Sequence, residues 1–327
     1  MLWKKSLREA LTTTKDLRDF FGQDFAQTPY PILIPIKLAE KIRQAGLDSP
    51  LARQFLPSDL ENILTKGLRD PIGDLSHQKN TCGVHRYQNR MLFIPTTHCP
   101  VRCRFCFRKN ILDSADGPFN AGATEDFFQY LREHAEVEEV IFTGGDPFIL
   151  DDQKLNLYLE SLAKISSVRY VRFHTRTPVV LPERITPAFC QLLETWQQRF
   201  PVITVALHLN HVSELDNEVE AALGMLRKTG VQLLSHTVLL RTINDNVDDL
   251  KNLFMALTNL HVRPYYLHHT DQALATEHFW PDLTRCQELY HQLRRHIPGW
   301  ALPHYVIDLP GGGGKINAAN PAQFIDI

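Results

Sequence analysis

The sequence predicts an α/β fold built around a partial (β/α)6-type barrel of parallel strands. From Met91 onward, short apolar runs alternate with amphipathic segments of helical period, which gives at least six strand–helix units. Strict alternation of this kind favours a parallel sheet with right-handed crossovers, and six or seven units curl toward a full or partial barrel. We therefore expect a functional site in the loops that follow the strands.

Three segments of the chain differ in their patterning. Residues 1–85 contain helical patches such as LAEKIRQAGL (38–47) between proline-rich stretches such as TPYPILIPI, and they lack strong strand signals. This segment is predicted to form a helical N-terminal cap. The barrel is predicted over residues 86–300, and a short C-terminal segment with a strand and a glycine-flanked lysine is predicted over residues 301–327.

The predicted barrel strands are six apolar runs with helix signals between them. In chain order they read MLFIP (91–95), VIFTG (140–144), YVRFH (170–174), VITVAL (202–207), QLLSHTVLL (232–240) and RPYYLH (263–268). Behind the acidic pair Asp151-Asp152, apolar residues recur at helical intervals over 155–162, which suits the helix dipole. Thr186 followed by Pro187 predicts an N-cap and the first helical turn.

Three closely spaced cysteines follow the first predicted strand. Cys99, Cys103 and Cys106 lie in the run HCPVRCRFCF with the spacing C-x3-C-x2-C. A cubane cluster normally takes four ligands, so three protein thiolates leave one iron open to a small molecule. The other interpretations are buried apolar cysteines, or a structural zinc site completed by His98 or a distant cysteine. The close spacing favours a 4Fe-4S cluster that takes part in chemistry.

The second predicted strand ends in the turn TGGDP (143–147). Gly144 and Gly145 allow close backbone approach and expose amide donors, and Asp146 could accept a hydrogen bond from an amino or hydroxyl group. A glycine pair before Asp-Pro also occurs in ordinary strand-to-helix turns. Together with the cysteine triplet, the turn resembles the radical S-adenosylmethionine (SAM) superfamily, in which a glycine-glycine-acid turn contacts the methionine amino group.

Four glycines, residues 311–314, precede Lys315. A nucleotide-binding P-loop is excluded, because Leu309 stands where that motif needs glycine and Ile316 where it needs Ser or Thr. A flexible linker is the simpler interpretation, but the glycines directly follow the apolar run HYVIDLP. The pattern favours glycines that let the main chain pass a planar cofactor, with Lys315 forming a Schiff base with pyridoxal 5'-phosphate (PLP).

Seven motifs together resemble one family within this superfamily. The lysine 2,3-aminomutases carry, in the same order, the cysteine loop, TGGDP, TRTPVVLPERIT, HLNH, TVLLRTINDN, YYLHHTD and PGGGGK. The chain resembles this family over about residues 70–320, which implies a radical SAM barrel that also binds PLP. In overall length it is similar to the shorter members, which produce β-lysine for attachment to elongation factor P.

The resemblance implies cofactor roles for particular residues. The three cysteines match the cluster ligands, and Lys315 matches the lysine that carries PLP. The family residues that hold the PLP phosphate correspond to Arg86, Tyr87 and Arg90. Those that lie beside SAM correspond to Gly144, Gly145, Asp146 and His208. His236 stands where relatives commonly carry glutamine and is predicted to contact the cofactors as well. Two arginines four residues apart can converge on one anion.

Three charged residues match the substrate contacts of the family. Arg108 matches the arginine that binds the amino-acid carboxylate, a task that suits the guanidinium fork. Asp271 and Asp308 match two carboxylates that hold the distal ammonium of lysine. Two carboxylates would repel the side chain of glutamate, so lysine is favoured as the substrate.

The activity that the resemblance implies is the isomerisation of L-lysine to β-lysine. A 5'-deoxyadenosyl radical removes a hydrogen from the β-carbon while the migrating nitrogen is bound to PLP, and an electron donor of the flavodoxin or ferredoxin type reduces the cluster. The alternatives are the same chemistry on ornithine, glutamate or peptide-bound lysine, and a non-catalytic iron–sulfur protein.

Composition argues against several other classes. The chain has 35 basic and 37 acidic residues and a formal net charge of -2, which gives no electrostatic footprint for nucleic acid or an anionic membrane. The segment after Met1 reads LWKKSLREAL, which offers no signal-peptide core, and no apolar run of about 20 residues follows. Six cysteines are too few for a disulfide-rich secreted domain. We therefore expect a cytoplasmic protein.

Overall fold

A computed structural model describes residues 2–63, 66–112, 124–309 and 314–319. Within these ranges, strands form one sheet in chain order: β1 (Gln78–Asn80), β2 (Gly83–Tyr87), β3 (Arg90–Thr96), β4 (Glu139–Gly144), β5 (Tyr170–Thr175), β6 (Val202–His208), β7 (Gln232–Leu239), β8 (Arg263–His269), β9 (His304–Leu309) and β10 (Gly314–Asn317). The strands from β3 to β9 pair in parallel. β1, β2 and β10 add antiparallel pairs at the edges.

The predicted α/β class with a parallel sheet is confirmed. The six predicted apolar runs coincide with the strands β3 to β8, apart from Leu240, which follows β7. Residues 304–309 of the run HYVIDLP form β9 in the same sheet. The three antiparallel strands are additions to the predicted barrel. They are short and carry several polar residues, as in QKN, GVHRY and GKIN, so no apolar run marks them.

Helices connect the strands and form an N-terminal layer. In the described part of the chain they are α1 (Leu2–Arg8), α2 (Thr14–Phe21), α3 (Ile36–Ala45), α4 (Pro50–Arg53), α5 (Lys109–Leu112), α6 (Glu125–Glu133), α7 (Asp152–Ala163), α8 (Thr177–Val180), α9 (Pro187–Gln197), α10 (Asn217–Lys228), α11 (Val247–Asn259) and α12 (Leu283–Leu293). Short 3-10 turns occur at Asp59–Asn62, Leu75–His77, Pro147–Ile149, Pro182–Arg184, Val212–Glu214, Glu277–Phe279 and Gly299–Ala301. Across the same ranges, every helix is too short or too polar to cross a lipid bilayer.

Side-chain caps fix where the barrel helices begin. Asp151 accepts a hydrogen bond from the backbone N–H of Lys154 at the start of α7, and Thr186 accepts one from Phe189 at the start of α9. The Thr186 cap is the predicted one, and the Asp151 cap lies at the predicted acidic start of α7. Such a cap stabilises a helix by about 1 kcal/mol, so these residues set the length of the loops that follow the strands.

Two hydrophobic cores support the site loops. The main core lies between the sheet and the helices that connect its strands, and includes stacked aromatic rings such as Phe93 and Phe127, whose centroids are 4.3 Å apart. A second core joins the N-terminal helices to Val101 of the cysteine loop and to Val180 and Leu181 after β5. The N-terminal layer is thus packed directly on two of the loops that follow barrel strands.

The N-terminal segment is partly helical, as expected. α1 to α4 form its first half, but β1 and the beginning of β2 also lie before residue 86. The predicted boundary between residues 85 and 86 falls inside β2, because that strand pairs with β3 of the barrel. The division into three segments stays a prediction.

Side chains span the gap between the two edges of the sheet. The backbone N–H of Lys315 in β10 donates to the Tyr87 hydroxyl in β2 at 2.9 Å. Arg86, the neighbour of Tyr87, donates from Nη1 to Asp308 of β9 at 2.7 Å. The lumen of the barrel is therefore enclosed on this side by contacts of β2 with β9 and β10.

Candidate active site

All candidate site residues named from the sequence line one cavity of about 740 Å³. They are Cys99, Cys103, Cys106, Arg86, Tyr87, Arg90, Gly144, Gly145, Asp146, His208, His236, Arg108, Asp271, Asp308 and Lys315. The cavity extends from the loops after the strands down the lumen to the first residues of β4 and β8, Glu139 and Arg263. One enclosed space therefore contains the thiols, the lysine and the candidate substrate contacts.

The cysteine loop is held by the N-terminal layer. The backbone N–H of Arg104 donates to the carbonyl of Gln54 at 2.9 Å, and the N–H of Arg102 donates to the carbonyl of Leu33 at 3.0 Å. The Arg104 guanidinium forms a buried ion pair with Glu61 at 2.6 Å, and both side chains are at most 2% exposed. These contacts fix the backbone on which the three cysteines stand.

The three thiols lie half-buried on the cavity wall. Burial raises the pKa of the Cys99 thiol well above its usual value. Burial also raises the pKa of Cys103, although the nearby Arg176 opposes this effect. Burial therefore favours the protonated form of Cys99 and Cys103, and iron binding would have to release their protons.

The donor set fits an iron–sulfur cluster with one open iron. In the described part of the chain, no three His, Cys, Asp or Glu side chains are arranged to hold a single metal ion. A cubane cluster spreads its thiolates over separate irons, so it requires the thiols around a wider space than one ion does. The three thiols that line this cavity supply the number of protein ligands that such a cluster takes when one iron stays open.

The glycine turn after β4 lies directly against the cysteine loop. Gly144 has a φ of 101°, and a Cβ on Gly145 would lie 2.1 Å from the carbonyl oxygen of His98. The N–H of Gly145 donates to Thr96 at 2.9 Å, and that of Asp146 donates to His98 at 2.8 Å. Only glycine allows this approach of two backbones.

Asp146 joins the loops after β4 and β5. It is 4% exposed, and its carboxylate accepts hydrogen bonds from the N–H groups of Phe148, Arg176 and Thr177 and from the Thr175 hydroxyl, over distances of 2.7–3.0 Å. Burial, the largest influence, keeps the pKa of Asp146 above its usual value despite these bonds. An ionised carboxylate has about four lone-pair sites. The arrangement differs from the expected contact with an amino group, because these sites are already filled.

Lys315 and Asp308 are opposite each other in the β9–β10 pair. The Lys315 ammonium donates to the Asp308 carboxylate. At Gly314, where φ is 81°, a Cβ would lie 2.9 Å from the Tyr87 hydroxyl, so glycine is required here by a protein contact, and the approach to a cofactor stays a prediction. Gly311 to Gly313 lie outside the described residues.

The two candidate phosphate arginines do not converge. Arg86 bonds to Asp308 at 2.7 Å and lies 3.5 Å from Asp74, whereas Arg90 stacks over the Tyr87 ring at 3.8 Å from its centroid. The reason is the hairpin, in which Tyr87 of β2 pairs with Arg90 of β3. Two buried carboxylates, Asp308 and Asp74, thus attract Arg86.

Arg108 is oriented by Asp74, a residue that the sequence did not reveal. Its Nε donates to Asp74 at 2.9 Å, its Nη2 lies 2.8 Å from the same oxygen, and its Nη1 donates to the Thr143 hydroxyl at 2.8 Å. Asp74 is 1% exposed. A guanidinium has five N–H groups, so two remain for a further acceptor in the cavity.

Two carboxylates share the cavity wall near Lys315. Burial, followed by the charge of Asp308, raises the pKa of Asp271 to about 7. Asp308 is already paired with Arg86 and Lys315. Asp271 therefore lies in a place where an added cation would favour its ionised form.

Four histidines form a connected wall in the lumen, and the sequence had indicated only two of them. His236 is at its centre, with ring centroids 4.2 Å from His268, 4.9 Å from His174 and 6.1 Å from His208. Burial lowers the pKa of each imidazole, for His236 to about 3. All four rings are neutral near pH 7. His174 and His268 could have been found as inward-facing positions of strands, since alternate residues share one face.

Comparison with known proteins places the chain among radical SAM proteins. Residues 93–254 match the Radical SAM superfamily. The chain is 35% identical to the L-lysine 2,3-aminomutase of Fusobacterium nucleatum, over 81% of this chain and 62% of that relative. It is 32% identical to the L-lysine 2,3-aminomutase of Haemophilus influenzae, over 95% of this chain and 90% of the relative. The solved structure of anSMEcpe with bound AdoMet has a TM-score of 0.47 and 13% identity, over 62% of this chain and 59% of that one.

Proposed function

The chain belongs to the L-lysine 2,3-aminomutase family, and from this premise we propose that it moves the α-amino group of L-lysine to the β-carbon. The observation that carries the proposal is the single cavity, which collects three thiols, a lysine amine, an arginine and two carboxylates. The chain spans 62% of the length of the Fusobacterium relative, so the activity is proposed from the residues of this cavity as well as from the family.

Three groups would be held by residues of this cavity. Cys99, Cys103 and Cys106 would hold a 4Fe-4S cluster, the turn at Gly144 and Gly145 would lie beside SAM, and Lys315 would bind PLP. When bound, the cluster and SAM supply a hydrogen-abstracting radical, and PLP supplies the conjugated group that carries the migrating nitrogen. The protein supplies orientation and the exclusion of water.

The ends of the substrate would be recognised by opposite charges. Arg108 is fixed by Asp74 and Thr143 and keeps two N–H groups for the substrate carboxylate. Asp271 has a raised pKa, and a nearby cation would favour its ionised form. The distal ammonium of lysine is such a cation. The same carboxylates disfavour glutamate, whose side chain is anionic. This charge arrangement supports lysine over glutamate, whereas ornithine has the same charges as lysine and differs in length.

The experiment that tests the proposal is anaerobic turnover. Protein reconstituted with iron and sulfide is incubated with L-lysine, PLP, SAM and dithionite, and the products are separated by chromatography. We expect β-lysine from lysine, and much less product from ornithine and glutamate in parallel incubations. Faster turnover of ornithine would transfer the proposal to that substrate. SAM cleavage without any amino-acid isomer would contradict the aminomutase activity.

Three further expectations remain proposals. The use of β-lysine for elongation factor P is supported only by the resemblance to shorter family members. A flavodoxin- or ferredoxin-type donor is supported by the need for one electron per cleavage of SAM. A cytoplasmic location is supported by the six cysteines, whose spacing matches no disulfide framework, since disulfide-stabilised domains belong to oxidising compartments.

A further inference from the structure

Arg176 is a buried arginine to which the proposed function gives no role. It directly follows β5, is 5% exposed and lines the candidate cavity. Its Nη1 donates a hydrogen bond to the sulfur of Cys103 at 2.9 Å. Because Cys103 is one of the three proposed cluster ligands, the guanidinium would donate to a sulfur that binds iron.

The guanidinium is fixed from its other side. Its Nη2 donates to Glu214 at 2.6 Å and to the side-chain oxygen of Gln54 at 2.7 Å. Glu214 is 2% exposed, and it also accepts hydrogen bonds from the backbone N–H groups of Asn210 and His211. Cys103, Arg176 and Glu214 therefore form a buried chain of thiol, cation and anion.

The backbone and the flat face of Arg176 are fixed as well. Its N–H donates to Asp146 at 2.7 Å, so the same residue links the glycine turn to the cysteine loop. The guanidinium lies over the Phe55 ring at 4.5 Å from the centroid and near Phe105 at 5.4 Å. With these contacts, Arg176 cannot turn away from Cys103 without breaking several interactions.

A cation bonded to a cluster ligand favours the more negative state of the cluster. Adding one electron increases the negative charge on the thiolates, and charge-assisted hydrogen bonds strengthen with that charge. Hydrogen bonds to cluster sulfurs and nearby charges are among the factors that set cluster potentials. Glu214 is an anion on the far side of the same guanidinium, so it acts in the opposite direction.

We infer that Arg176 is a positioning residue that raises the reduction potential of the cluster through its hydrogen bond to Cys103, and that Glu214 limits this effect. The inference rests on the proposed function, because it requires a cluster on the three cysteines. It concerns how easily a one-electron reductant reduces the cluster, and it does not involve the substrate.

The test is a reductive titration of the reconstituted cluster, followed by electron paramagnetic resonance without SAM, PLP or lysine. Iron and sulfide are determined first for the wild type and for the Arg176→Met, Arg176→Lys and Glu214→Gln variants. We expect the Met variant to be about tenfold less reduced at a fixed potential, which corresponds to a midpoint about 59 mV more negative. The Lys variant should shift less in the same direction, and the Glu214→Gln variant should shift to a more positive midpoint.

Midpoint potentials that shift in opposite directions distinguish an electrostatic effect from a disturbed structure, because a disturbed site would shift the midpoint of all variants in the same direction. Arg172→Met is the matched control, since Arg172 also pairs with a glutamate, Glu139, at 2.7 Å near the start of β5. Its midpoint should stay within about 20 mV of the wild type, roughly a twofold change in the reduced fraction. If the Met variant does not hold four irons, the Lys and Gln variants decide the question.

Two results would overturn the inference. One is a Met variant with intact clusters and the wild-type midpoint, and the other is a Glu214→Gln variant that shifts in the negative direction. Failure of the proposed function is a separate outcome. If the wild-type protein holds no four-iron cluster, both the proposed function and the role of Arg176 are contradicted. If the wild type turns over lysine and all variants have its midpoint potential, only the role of Arg176 is contradicted.

Discussion

At the scale of single residues, Lys315 is the group on which the proposed PLP chemistry depends. Lys315→Ala should lose covalent attachment of PLP, because Lys315 is the only lysine among the described residues that line the cavity. The variant should keep its cluster, since the cysteine loop is held by the N-terminal layer. Reduction with borohydride followed by mass spectrometry of the pyridoxyl label checks the first part, and iron analysis checks the second.

Lys164→Ala is a suitable control for this experiment. Lys164 is an exposed lysine at the end of α7, and its ion pair with Glu160 lies on the surface. This variant should retain the label on Lys315. A pyridoxyl label of wild-type stoichiometry on Lys315→Ala would contradict the proposed attachment.

Asp271 gives a prediction about pH. Because its pKa in the free protein is raised to about 7, from an ordinary value of about 3.9, the folded protein favours the protonated form. The stability from this form is complete below about pH 4 and is lost as the pH rises through about 7. The lysine ammonium favours the ionised form instead, so the apparent affinity for lysine should increase between pH 6 and pH 8.

Asp271→Asn should remove this increase and weaken lysine use at pH 8 by roughly tenfold. Loss of one partner of a buried charge pair costs about 2–5 kcal/mol, and the effect here is smaller because Asp271 is half-buried. The measurement is kcat/KM for lysine from pH 6 to pH 8. Asp248→Asn, at an exposed position in α11, is the control. An unchanged pH profile in Asp271→Asn would exclude Asp271 from the ammonium site.

Residues with unusual chemistry could be predicted from the sequence, whereas their supporting residues could not. The cysteine spacing and the glycine-flanked Lys315 are rare patterns, so they were recognisable without neighbours. Asp74, Arg176 and Glu214 are ordinary charged residues in the sequence. Their importance comes from partners far away in the sequence. Asp74 bonds to Arg108, 34 residues away, and Arg176 bonds to Cys103, 73 residues away. No local pattern encodes such contacts.

At the scale of structural elements, the buried ion pair of Glu61 with Arg104 is one of the contacts that join the N-terminal layer to the cysteine loop. Glu61→Gln should destabilise the protein by about 3 kcal/mol, because Arg104 would remain buried without its counter-charge. We also expect a lower iron content after reconstitution, since the cysteine backbone would lose its support. Chemical unfolding and iron analysis measure the two effects.

An exposed pair provides the comparison for Glu61. Glu125 pairs with Arg132 on the surface of α6, where the side chains are 80% and 45% exposed. Glu125→Gln should change the free energy of unfolding by less than about 0.5 kcal/mol. Equal effects of the two substitutions would show that the buried pair does not hold the layer to the loop.

Elements could be predicted where apolar period and length were strong. The six runs found in the sequence lie in strands of six to eight residues, in which buried apolar side chains recur along each strand. β1 and β10 have three and four residues, and their stability comes from pairing with a neighbouring strand. Pairing partners are a property of the folded chain, so these strands could not be found from their own composition.

At the scale of the whole molecule, the contacts of β2 with β9 and β10 keep the barrel enclosed beside Lys315. Tyr87→Phe should remove the acceptor of the Lys315 N–H and so weaken the attachment of β10 by about 1 kcal/mol. Hydrogen exchange at the Lys315 amide should become about fivefold faster. Tyr170→Phe, on β5, is the control and should leave this amide unchanged. Equal exchange rates in wild type and Tyr87→Phe would show that the Tyr87 hydroxyl does not stabilise β10.

The order of the site along the chain has a consequence for biogenesis. Lys315 is the last cavity residue to be synthesised, whereas the thiols and the N-terminal layer that supports them are complete some 200 residues earlier. Because nascent chains fold from their N-terminal end, the sulfur ligands emerge from the ribosome long before the amine does. Iron delivery to the thiols could therefore begin during translation, whereas PLP attachment would have to wait for the synthesis of β10, the strand that carries Lys315.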